Sequence, residues 1–263
     1  MNKQKTQAYL EWLTSKWWFY LILLLIQLLP PIATKGWSST GISKFLAVHV
    51  MCNLMRAPQV EILYPAFKIM PILLIIGIVL FGKRAGRIFS IYAGIAYIFF
   101  NVLQNVSITP EYGVGVLTQN IVTMSLISLL WFWEAYAGKN DLSPVKATPA
   151  KVSVMLLAFF AFWMPMDPVT HGINLCPALL MTNPAGLAFC MMTPVFLATL
   201  IYFYPRVNLA LLRVNAFAGV MIGIFNVLVV FANPSAYWWF GVLHIPLFVL
   251  GAYGLWLGVS NSK

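Results

Sequence analysis

The chain has 263 residues, 61% hydrophobic and only 8% charged, where a soluble domain carries about 25% charged residues. A soluble fold this apolar could not cover its surface with polar groups, so the composition excludes that class and selects an integral membrane protein. The formal charge of +10 does not point to nucleic acid: the basic residues sit in short turns between apolar runs, with no aromatic–basic platform, and read as topology signals and headgroup contacts.

Residues 1–16 are polar and basic. The apolar run 17–33 follows, opened by Trp17-Trp18 as an interfacial anchor. Leu28-Leu29-Pro30-Pro31 makes a poor cleavage site, so this run reads as a retained first helix. Segment 44–57 holds Phe45-Leu46-Ala47-Val48 and Met51-Cys52-Asn53-Leu54-Met55-Arg56. It is too short to span twice and too apolar for a free loop. It predicts an interfacial or re-entrant helix on the outer side, ended by Pro58 and redirected by Pro65.

A spanning helix needs about 20 mostly apolar residues. Further runs lie at 69–81, 88–106, 116–136, 152–166, 187–204, 214–231 and 237–259. The run 69–81 is short and is expected to begin near Tyr64, with Lys68 snorkelling to the headgroup level. The expected fold is an all-α integral membrane protein of about eight transmembrane helices, seven being possible, plus the interfacial helix. No Gly-x-x-x-Gly pair stands out as a contact face.

The loops set the orientation. With eight spans, twelve of the 16 Lys and Arg residues fall on one side and four, Lys35, Lys44, Arg56 and Lys68, on the other. The positive-inside rule places both termini in the cytoplasm, in an inner membrane.

The sequence also repeats itself. Phe100-Asn101-Val102-Leu103 recurs as Phe225-Asn226-Val227-Leu228, and Arg87 and Gly94 are echoed by Arg213 and Gly219. Ala66-Phe67 before Pro71 resembles Ala188-Phe189 before Pro194. The expected organisation is a tandem parallel 4+4 repeat: residues 1–138, a cytoplasmic linker 139–151 with Pro144 and Pro149, and residues 152–263.

Three sets of residues could carry chemistry. The histidines and cysteines map to the outer half, with Met51, Met55, Met164, Met166, Met181, Met191 and Met192 close by. Within that set His49, Cys52, His171 and Cys176 are the candidate metal ligands, and soft sulfur with imidazole would admit copper or haem iron. Three scattered histidines cannot supply a dihaem bundle, and Met and Cys also fill apolar cores; no cofactor is required. The second set is a polar outer rim with Arg56, Glu61, Lys68, Glu111, Asp167 and His171, of which Arg56, Glu61, Asp167 and His171, together with His244, are the candidate solute-binding residues. The third is the pair Asn101 and Asn226, which serve either as interhelical glue or as a solute site at the repeat interface, with Gln104, Asn105, Gln119 and Asn120 enriching the first copy.

There is no P-loop, GxGxxG, HExxH or assembled triad, so no enzyme is specified. The leading expectation is a permease-like protein, or the membrane component of a transport system, binding a small solute at the outward-facing repeat interface. The working surface should gather 45–56, 167–176 and the start of helix eight. The alternatives are an integral subunit or assembly factor of a membrane redox or metal complex, and a lipid-acting enzyme of the outer leaflet. Expected partners are the lipid bilayer, other membrane subunits or a second copy of the chain, and no nucleic acid.

Overall fold

A computed structural model describes residues 2–35, 58–110, 113–167, 170, 172–231 and 234–260. Helices α1 (Lys3–Leu13) and α2 (Trp17–Ile26) lead to a short strand, β1 (Ile32–Ala33). Then come α3 (Pro58–Glu61), α4 (Tyr64–Phe81) and α5 (Lys83–Asn105), a hairpin of β2 (Val106–Thr109) and β3 (Gly113–Val116), and α6 (Thr118–Ala137). The second half of the chain has α7 (Pro149–Trp163), α8 (Leu179–Thr182), a 3-10 turn at Pro184–Leu187, α9 (Phe189–Phe203), α10 (Leu209–Leu228) and α11 (Pro234–Ser260).

Every apolar run in the sequence holds a helix. Among the described residues four helices are long and apolar enough to cross a membrane: α4, α5, α10 and Tyr237–Ser260 of α11. A fifth is the bent pair Leu179–Leu187 and Phe189–Phe203, which turns by 90°. Helices α2 and α7 are shorter, with 10 and 15 residues. The fold is therefore all-α in its long elements, with several apolar helices suited to a membrane.

Three features depart from the sequence reading. First, the polar start forms a helix, α1, with Asn2 accepting the Gln4 N–H as its cap. Second, a small antiparallel sheet of order β1-β3-β2 takes the residues where run 17–33 ends and run 116–136 begins. Gly113 has φ of +67°, and a Cβ there would lie 2.1 Å from Thr34 Oγ1, so only glycine fits. Third, Lys68 does not snorkel. It is fully buried, and its Nζ donates to Phe162 O in the last turn of α7 and lies over the Phe162 ring. That carbonyl has no donor within its own helix, and the negative end of α7 attracts the cation. Interfacial segment 44–57, with Lys44, lies outside the described residues.

Proline and glycine shape the bundle. Pro71 cannot donate to Phe67 O, one turn earlier in α4; the Tyr92 hydroxyl of α5 donates to it instead, at 3.3 Å. Glycines set the α10–α11 crossing, contrary to expectation. Gly219-Val220-Met221-Ile222-Gly223 presents its glycines to α11, where a Cβ on Gly223 would lie 2.9 Å from Phe248 Cα. A Cβ on Gly251 would lie 2.7 Å from Val220 N. Small residues let backbones approach where lipid supplies no hydrophobic drive.

The core between the halves is aromatic. Phe89, Tyr97 and Phe100 of α5 meet Trp131 of α6 and Phe189 and Phe196 of α9, with edge-to-face contacts predominating. In their midst the Tyr97 hydroxyl donates to Asn215 Oδ1 of α10 at 2.6 Å and accepts from Thr193 Oγ1 of α9 at 2.9 Å.

A polar clasp closes the end that carries the basic loops. Gln7 of α1 bonds Asn208 and Trp133, and Asn208 and Asn140 both donate to the buried Glu134 carboxylate. Arg213 donates to Glu11 O of α1 and to Gly258 O of α11, each at 2.8 Å. Helix α1 and the last turn of α11 thus lie at the same end as those loops. Beside them, Asp141 of the linker accepts from Ser143 and from Arg206 Nη1 at 3.1 Å.

Candidate functional site

The opposite end of the bundle holds a cavity of about 150 Å³. Its walls come from both halves of the chain: the end of α5, the start of α6, the turn after α7, the start of α9, the end of α10 and the first part of α11. The break before α9 creates it. Asn183-Pro184-Ala185-Gly186 separates α8 from α9, and Asn183 donates to Trp163 O and Met164 O at the end of α7. Gly186 lies against Phe67, where a Cβ would be 2.7 Å from its carbonyl oxygen. The chain then turns, and α9 begins inside the cavity wall at Phe189.

One wall is amide. Gln104 Oε1 accepts the Phe189 N–H at 2.7 Å and caps α9 from across the chain. Asn120 donates to Asn105 Oδ1 at 3.0 Å, and Asn105 in turn donates to Met124 Sδ at 3.1 Å. Asn226 Nδ2 donates to Ile222 O and approaches Cys190 Sγ at 3.7 Å. The other wall is soft: Cys190, Met164, Met166, Met191 and His244. Pro194 removes the helical donor of Cys190 O, as Pro71 does for Phe67 O. His244 is buried, with Nδ1 2.8 Å from Phe240 O. A carbonyl only accepts, so Nδ1 carries the proton and Nε2 keeps its lone pair. No Lys, Arg, Asp or Glu is among the described residues lining the cavity.

Of the residues singled out from sequence, Asn226 and His244 line the cavity. Asn101 stands behind it, donating to Ser125 Oγ and accepting from Asn105. The paired asparagines therefore differ: one is a strut and the other a wall. Asp167 lies in the turn after α7, where it accepts from Thr170 N and Oγ1, and Glu61 is exposed at the end of α3; neither lines the cavity. Cys176 is exposed and outside it. His49, Cys52, Arg56 and His171 lie outside the described residues. No cluster of three His, Cys, Asp or Glu side chains occurs among the described residues.

Sequence reasoning grouped the methionines with the histidines and cysteines but kept Gln104, Asn105 and Asn120 in a separate set, where the structure puts both sets around one cavity. The usable signal was the Asn183–Gly186 interruption, since a proline- and glycine-broken apolar segment points to a site at membrane depth. Compared with protein-family models, curated proteins and solved structures, the chain matches none.

Proposed function

We propose that this is a permease-like protein, or the membrane component of a transport system, that binds a small solute in the cavity between its halves. The reading has eight spans in two parallel four-helix repeats, both termini in the cytoplasm of an inner-membrane protein, and the cavity toward the outer face. One observation carries it: a helix breaks at the cavity wall, and both halves of the chain supply that wall. Transporters place their solutes at such junctions, where broken helices expose backbone and alternating access can rock one half against the other. Further support comes from the interior prolines of α4 and α9, each freeing a carbonyl one turn upstream, and from the basic loops gathered at the far end.

Cys190 gives the test. In a Cys52→Ser/Cys176→Ser background it is the remaining thiol. A membrane-impermeant methanethiosulfonate should label it from the outer face of right-side-out vesicles and from the inner face of inverted ones, as alternating access requires. Labelling from one face only, or from neither, would overturn the carrier reading.

A further inference from the structure

We propose that the solute is a soft monovalent metal ion, Cu(I), held by Cys190 Sγ, His244 Nε2 and a thioether from Met164, Met166 or Met191. This rests on the cavity being the solute site.

The donor set selects the ion. The methionines pack in one buried cluster with Leu243 and Ala188, and Cys190 packs against it. Thiolate, thioether and imidazole together suit Cu(I). A hard cation is held by several oxygens, carboxylates above all, whereas the described lining offers amide oxygens and no carboxylate, and Gln104 Oε1 and Asn105 Oδ1 each already accept one hydrogen bond. A phosphate or carboxylate would need a cation, and the described lining has none.

The ligands are also oriented. The bond from His244 Nδ1 to Phe240 O fixes the ring and leaves Nε2 as the free donor, the arrangement typical of metal-bound histidine. Asn226 Nδ2 lies 3.7 Å from Cys190 Sγ and donates to that sulfur. Met124 differs: its sulfur accepts from Asn105 at 3.1 Å in the amide wall, and it packs outside the cluster that holds Met164, Met166 and Met191. Binding is a simple exchange. Cu(I) forms a bond to sulfur, the Cys190 thiol proton leaves to water at the cavity mouth, and the complex with neutral imidazole and thioether carries no net charge. The ion arrives already reduced, so no electron moves. An uncharged complex is what a site without counter-charges can hold at membrane depth.

The test uses the purified full chain in detergent, titrated anaerobically with Cu(I) against a chromogenic Cu(I) chelator, with Ag(I) as the isoelectronic probe. One ion per chain is expected. His244→Leu and Cys190→Ser should each weaken it at least tenfold, while Cys176→Ser and Met181→Leu should leave it unchanged. Copper K-edge absorption of the wild type should show sulfur with one nitrogen-type neighbour. The combined variant Met164→Leu/Met166→Leu/Met191→Leu, which keeps volume, should remove the thioether from that sulfur shell and weaken binding. Three results overturn the assignment: no stoichiometric ion, affinity indifferent to His244 and Cys190, or affinity lost with Cys176. Two-faced thiol labelling of Cys190 without copper binding would keep the carrier and reject the metal. Loss of both would reject the carrier as well.

Discussion

Gln104 on α5 accepts the Phe189 N–H at 2.7 Å, so a side chain of the first half of the chain caps a helix of the second. Gln104→Leu keeps the bulk and removes the acceptor. It should lower stability by about 0.5–2 kcal/mol, the usual worth of a lost helix cap. Gln104→Glu keeps an acceptor but puts a carboxylate in a wall without counter-charges, so it should not exceed the wild type in stability. Unfolding of the detergent-solubilised protein checks both, and a Leu variant as stable as wild type would remove the cap from the account.

The α10–α11 crossing predicts a contrast between neighbouring glycines. At Gly223 an added Cβ meets the Phe248 backbone at 2.9–3.0 Å, which cannot yield unless the helices part. Gly223→Ala should cost roughly 1–3 kcal/mol. At Gly219 the nearest atom is the end of Leu197, at 3.2 Å, and that side chain can shift. Gly219→Ala should cost distinctly less in the same thermal assay. Equal losses would mean that the crossing is not set by backbone contact.

Lys68 tests the cost of a buried cation. Its ammonium meets the Phe162 carbonyl and the Phe162 ring, and no carboxylate pairs with it among the described residues. Desolvating an ammonium costs several kcal/mol; an orphaned Phe162 carbonyl costs roughly 1–3 kcal/mol. Lys68→Met keeps the volume and removes the larger penalty, so its melting temperature should equal or exceed the wild type's. Lys68→Ala should fall below it, because it leaves a cavity. A destabilised Met variant would show that the carbonyl contact outweighs desolvation.

The sequence made the long elements legible because hydrophobic length alone selects them: every apolar run carries a helix. What escaped were features set by neighbours. Lys68 reads as an interfacial lysine until the end of α7 is known to lie against it. Asn101 and Asn226 look equivalent until Ser125 takes one and Cys190 the other. The Gly219–Gly223 pair lies in plain view but gains meaning only opposite Gly251 and Phe248. The cavity was half legible: its residue types were named, but convergence of α5, α9 and α11 is a tertiary fact that spacing along the chain does not contain.

Asp141 supplies a pH dependence. Its hydrogen bonds from Ser143, reinforced by Arg206, hold its carboxyl below the ordinary carboxylate range. A depressed pKa means the contact stabilises the fold fully above the unfolded value of about 3.9 and is lost as pH falls through the lower folded value. The linker should therefore stay protected from proteolysis at neutral pH and through mild acid, and open below the usual Asp range. Asp141→Asn should lower that protection at neutral pH and flatten the acid transition; an unchanged profile would count against the clasp. The group is exposed, so the effect is local.

The Tyr97 hydroxyl ties α5 to Thr193 of α9 and to Asn215 of α10 in a place that water does not reach. Two fragments cut within the linker would each carry half of that junction, and in lipid neither half has water to replace the missing partner. The bundle should therefore reassemble from separately translated pieces. Co-expressed fragments 1–142 and 143–263 should co-purify through a tag on one of them, and Tyr97→Phe should reduce the yield of the pair more than it reduces the yield of the unbroken chain. The same hydroxyl that fills the core would then act as a recognition code between two polypeptides.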